Sequence, residues 1–156
     1  MIKYPKSFHL PQSPGLQNDD RRMDHLDSWL PEDEIVVTEK LDGENTSFHS
    51  DNFHARSLDS IHHESRNFAK SIWANVKYKI PNNIQLVFEN VFAKHSIFYD
   101  NLTNFVYLIN GFDKIRNIVL SWDEIVLWSE ELGLETAPIL FKGKFKDFNF
   151  EMPSKS

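Results

Sequence analysis

The run Thr38-Glu39-Lys40-Leu41-Asp42-Gly43-Glu44-Asn45 holds the residues with the clearest chemical potential. It sets an amine just after the apolar Ile35-Val36-Val37 and follows it at once with Asp-Gly. A lysine amine is a poor nucleophile at its free pKa of about 10.4, so covalent chemistry on it needs a partly desolvated site with other cations nearby. The end of a strand is expected to provide one for Lys40. Gly43 allows a tight turn or a close approach where a Cβ would clash, and Asp42 can hold that turn through its own backbone hydrogen bonds. The plain alternative is an exposed lysine between a strand and a turn.

Other residue sets offer less. The chain has 7 histidines, and His62-His63 and His95 invite a zinc reading. Adjacent histidines point to different faces, and no third ligand stands at a metal spacing, so no metal site with direct protein ligands is predicted. Lys142, Lys144 and Lys146 look like a cation cluster, but Phe141, Phe145 and Phe148 between them read as core-facing, which makes the lysines a solvated turn and strand edge.

The Lys-x-Asp-Gly pattern resembles the nucleophile motif of the covalent nucleotidyltransferases, and further segments narrow the resemblance to the ATP-dependent RNA ligases. Asn45 fits the Lys-x-Asp-Gly-x-Asn form of the bacteriophage-type RNA ligases. His54-Ala55-Arg56-Ser57 is similar to the family's arginine motif, and Leu86-Val87-Phe88-Glu89-Asn90 to its strand ending in a carboxylate. Phe105-Val106-Tyr107-Leu108-Ile109-Asn110-Gly111-Phe112-Asp113 resembles the next strand, which carries an aromatic residue, and 137–145 the segment that follows it. Tyr4-Pro5-Lys6 with His9-Leu10-Pro11 and Asp19-Asp20 is like the lead-in of one RNA ligase branch.

The resemblance implies an enzyme that forms a lysyl-AMP at Lys40 from ATP with magnesium, passes the AMP to an RNA 5′-phosphate and joins RNA ends. It implies that Glu39, Arg56, Glu89 and Phe112 bind ATP. In that scheme Arg56 lies on phosphate, Glu89 on the ribose hydroxyls and Phe112 against adenine, while Asn45 and Asp42 orient a phosphate or a metal-bound water. The family's later motifs, a Glu-Gly and closely spaced lysines, have no match before residue 156. The chain therefore reads as one domain, 1–156, lacking the C-terminal motifs of the adenylyltransferase domain, with a second polypeptide as a candidate source of them. An inactive nucleotide- or RNA-binding remnant, or one half of a split ligase, is the competing reading. A DNA ligase or capping enzyme is a third, which Asn45 and the Ala137-Pro138 segment disfavour and use of GTP would separate.

Composition fits such a protein. A chain of 156 residues with 13 Phe and 4 Trp can bury a real core. The absence of cysteine excludes disulfides and thiolate metal sites, and no apolar run approaches a membrane span, so a soluble cytoplasmic protein is expected. A formal charge of −6 argues against general coating of nucleic acid. Arg66, Lys70, Lys77, Lys79 and Lys94 nevertheless share a stretch whose one acid is Glu89, so a local basic face stands beside the reading of a solvated helix face.

Antiparallel strands with flanking helices, an α+β class, must position these groups. Residues 34–40 read as a strand, and 46–49 as its partner across the Asp-Gly turn. Phe68, Ile72 and Val76 predict an amphipathic helix over 63–78, broken at Pro81-Asn82-Asn83. Residues 84–91 and 105–112 are apolar strands, separated by a loop or short helix over 94–104. Ser121-Trp122-Asp123-Glu124 is a capping box opening a helix that buries Ile125, Trp128 and Leu132 and stops at Gly133. Ser154-Lys155-Ser156 reads as a frayed tail.

Overall fold

A computed structural model describes residues 29–55, 64–92 and 105–149. The expectations for the N-terminal lead-in, Arg56, His62-His63, Lys94, His95, the 94–104 connection and the C-terminal tail lie outside the described residues.

The chain forms an α+β structure with two antiparallel sheets and two helices. Its strands are β1 (Glu34–Thr38), β2 (Glu44–Phe48), β3 (Phe53–Ala55), β4 (Ile84–Asn90), β5 (Val106–Asp113), β6 (Ile118–Val119) and β7 (Ile139–Lys144). The helices are α1 (Glu64–Val76) and α2 (Trp122–Leu132). Two compact units are defined, one by residues 39–138 and the other by 29–38 with 139–149.

The larger unit is built on a sheet of order β3-β2-β4-β5-β6. Its core face buries Phe48, Leu86, Phe88, Val106 and Leu108 against Ala69, Trp73 and Val76 of α1 and Ile125 and Leu132 of α2. β4 is buried at six of its seven positions, the polar Gln85 and Asn90 included. The expected capping box opens α2: Ser121 Oγ accepts from the Glu124 N–H, and the Glu124 carboxylate accepts from the Ser121 N–H. Gly133, at φ 67°, closes the helix in the left-handed conformation. Trp128 is only partly buried. Asp113 ties the β5–β6 turn by accepting from Ile115 N–H, Arg116 N–H and Nε, and Asn83 Nδ2.

In the smaller unit β1 pairs with β7, from Glu34 opposite Lys144 to Thr38 opposite Ile139. This corrects the expectation that β1 pairs with the strand after the Asp-Gly turn. β2 instead pairs with β3 and β4, with Thr46 opposite both Ala55 and Phe88. Gly43 lies against the Asn90 carbonyl at the start of the β2–β4 pairing, where a Cβ would not fit. Lys142, Lys144 and Lys146 are exposed, as expected of a strand edge, and Lys144 and Lys146 both reach Glu32, each at 2.6 Å.

No helix among the described residues is long and apolar enough to cross a membrane.

Candidate nucleotide site

The site lies on the face of the five-stranded sheet turned away from α1 and α2. Strand alternation decides which side chains reach it. Leu86, Phe88 and Phe48 point into the core, so Asn45 and Ser47 of β2 and Gln85, Val87 and Glu89 of β4 point the other way. Three residues align as a row across the strands: Asn45 opposite Glu89, and Glu89 opposite Tyr107.

The Lys40 segment docks on this row. The Gly43 N–H donates to Glu89 Oε1 at 2.9 Å, which brings Lys40, Asp42 and Glu44 close enough to act on that carboxyl electrostatically. A Cβ at Gly43 would sit 2.2 Å from the Asn90 carbonyl oxygen, so only glycine permits the approach. Burial pushes the Glu89 carboxyl above the usual carboxylate range, the Gly43 bond and Lys40 pull it back, and Asp42 and Glu44 push it up again. Beside it Asn45 Oδ1 is buried with no hydrogen-bond partner in the protein. A buried orphan acceptor costs about 1–3 kcal/mol, which a ligand donor would recover.

Glu39 is half-buried, and its N–H donates to the Pro138 carbonyl at 2.8 Å. Its carboxylate is near enough to Tyr107 to help, after burial and Glu135, in holding the phenol above its ordinary pKa.

Two expectations change here. Lys40 is exposed rather than desolvated by the protein, because β1 ends at Thr38 and residues 39–42 run free of regular structure. Phe112 is not brought to Glu89. It lies opposite Gln85, four residues along β4 from Glu89, a distance of about 13 Å. It is also only 5% exposed. A bulge sits between the two positions: Leu108 and Gly111 both face the core, so Ile109 and Asn110 both turn outward. Tyr107, Ile109 and Asn110 are therefore the β5 residues that share the outward face with Glu89 at this end of the sheet.

Arg66, which the sequence offers only as part of a basic stretch, meets the same segment from the opposite, α1-bearing face of the sheet. Its Nε and Nη2 grip Glu44 Oε1 and Oε2, each at 2.7 Å. Its partner is 22 residues away, so helical spacing alone gave no sign of the pair.

The residues named for magnesium are hard oxygen donors of the type it takes, usually through its own waters. Among the described residues no three His, Asp or Glu side chains converge as a direct metal cage. The orphan Asn45 Oδ1 beside the Glu89 carboxylate fits an ion held through water.

The family model described as RNA ligase matches residues 33–153. The chain belongs to the RNA ligase family. Comparison with curated proteins finds no match.

Proposed function

We propose that this protein is an ATP-dependent RNA ligase component whose covalent step takes place on Lys40. The observation that carries the reading is the docking of the Lys40-x-Asp-Gly turn onto Glu89 through the Gly43 N–H, beside the orphan Asn45 Oδ1.

In this reading the neutral Lys40 amine attacks the α-phosphorus of ATP. The N–P bond forms, the bond to the bridging oxygen breaks, pyrophosphate leaves and the amine proton passes to solvent. The AMP then moves to the 5′-phosphate of an RNA end, and a 3′-hydroxyl displaces AMP to seal the strand. ATP itself completes the desolvation that an exposed Lys40 lacks. Magnesium, when bound, offsets the phosphate charge and helps align the leaving group.

Glu89 accepts from the ribose hydroxyls with the lone pairs that the Gly43 N–H leaves open. Asn45 Oδ1 and the Asp42 carboxylate, both acceptors, orient a metal-bound water, and the Asn45 amide N–H is the group that donates to an α-phosphate oxygen. Glu39 accepts from the amino group of adenine. Arg56 is carried as a phosphate ligand on the motif alone. We place the base over Tyr107 and Ile109 rather than Phe112, because Tyr107 stands opposite Glu89 and the bulge turns Ile109 to the same face. Phe112 shares that face of the sheet but stands farther along it, opposite Gln85. A second polypeptide carrying a Glu-Gly motif and paired lysines is the partner proposed for the pyrophosphate side, since Lys144 and Lys146 are engaged by Glu32.

The test is incubation with labelled ATP and magnesium, with and without that polypeptide, followed by denaturing electrophoresis. Label that survives denaturation in the wild type and vanishes in both Lys40→Ala and Lys40→Arg supports the reading. Label retained in either variant contradicts it.

A further inference from the structure

We propose that Arg66 is a positioning residue for the nucleophile turn: with Glu89 it pins the start of β2 from the two faces of the sheet. This deepens the reading of Lys40 as the nucleophile and rests on it for its functional consequence.

Gly43 is held through its backbone N–H by a side chain of one face of the sheet, and Glu44 through its own side chain on the other. Gly43 is held on the site face by Glu89. Glu44 shares the core-side face of β2 with Thr46 and Phe48 and is held there by the first turns of α1 through Arg66. The guanidinium bond is bidentate, and the two side chains are only 12% and 34% exposed, which sets it apart from a solvent-screened surface pair. Mutual pinning fixes where the turn from Lys40 to Gly43 leaves the sheet, and hence where the amine stands relative to Glu89.

Charge supports the same role. Glu44 is one of the two anions that push the Glu89 carboxyl upward. Arg66 cancels Glu44 at contact, so a polyanionic nucleotide arriving at Lys40 meets one fewer uncompensated carboxylate. A cation anchored on the far side of the sheet does this without occupying the nucleotide's space.

The experiment is amide hydrogen exchange at residues 43–45 in the whole chain, with Val87 and Phe88 as core references, in wild type, Arg66→Ala, Arg66→Lys and the exchanged pair Glu44→Arg/Arg66→Glu. Arg66→Ala is expected to speed exchange at Gly43 by roughly tenfold or more over any change at the references, Arg66→Lys by less, and the exchanged pair to restore most of the protection. Unchanged Gly43 exchange in Arg66→Ala overturns the proposal. If Arg66→Ala unfolds the whole chain, the exchanged pair decides: restored protection at Gly43 supports the pinning, and a folded pair with an unprotected Gly43 overturns it. Adenylate formation in the same variants should track Gly43 protection. Protection that follows the predicted order while no variant, wild type included, carries AMP on Lys40 would leave the pinning intact and remove the proposed function.

Discussion

Replacing Gly43 with alanine strikes the contact on which the candidate site depends. The new Cβ would meet Asn90 O at 2.2 Å, Asn90 C at 2.7 Å and Val91 Cα at 3.1 Å, all backbone atoms that cannot swing aside. Ordinary contact begins near 3.4 Å, so β2 and β4 must part locally by roughly 1.2 Å. A shift of that size carries the 2.9 Å Gly43–Glu89 bond beyond hydrogen-bonding range. Loss of a bond to a charged acceptor costs about 1.5–3 kcal/mol and the forced displacement about 1–3 kcal/mol, while the stiffer unfolded chain returns about 0.4–1 kcal/mol. The net is about 2–5 kcal/mol, or a Tm lower by roughly 5–15 °C for a chain of this size. Thermal unfolding followed by circular dichroism reads this directly. Gly143→Ala is the internal control. Its Cβ would meet only the Phe141 ring, at 3.2 Å, which can rotate away, so that variant should stay within about 1 kcal/mol of wild type. A Gly43→Ala protein as stable as Gly143→Ala would refute the argument that glycine is required for the docking.

Other outcomes follow from the same structure. Burial, then Lys114 and His54, lower the pKa of His49 from 6.5 to about 4. The depressed value means its neutral form stabilises the fold above about pH 6.5, and that contribution, at most about 3 kcal/mol, is lost as pH falls toward 4; His49→Gln should flatten this acid limb of a Tm-versus-pH curve. Glu89→Ala should reduce use of ATP more than use of 2′-deoxy-ATP, as measured by adenylation kinetics, and equal losses would make the carboxylate structural. Tyr107→Ala should weaken ATP binding by calorimetry more than Phe112→Leu does, whereas Phe112→Leu should lower Tm; the reverse pattern would return the base to Phe112. Ser121→Ala, which removes one half of the α2 capping box, should cost about 1 kcal/mol in denaturant unfolding.

Local signals were legible in the sequence where one short segment determines the outcome. Ser121 and Glu124 predict the start of α2, and Phe68, Ile72 and Val76 predict α1, because capping and helical periodicity are set within a few residues. The motifs around Lys40 and Glu89 likewise foretold two groups that the fold brings together. Pairing and register were less readable. The Asp-Gly turn looked like a hairpin, yet β1 finds its partner more than 100 residues later in β7, and nothing local encodes that choice. The bulge at Ile109-Asn110 sets Tyr107 rather than Leu108 in the row with Glu89, a shift that no local pattern announces, whereas Phe112 rests on the motif alone. The Glu44–Arg66 pair joins a strand to a helix across the sheet, and each residue alone looks like an ordinary surface charge.

The central claim is that Lys40 carries the nucleotide. Its most direct test is to treat the protein with ATP and magnesium, supply the polypeptide bearing the Glu-Gly and paired-lysine motifs, digest it and map the AMP-bearing peptide by mass spectrometry. The account predicts a single phosphoramidate on Lys40, in the peptide that also holds Asp42 and Gly43. AMP on Lys142 or Lys144, with Lys40 unmodified, would contradict it.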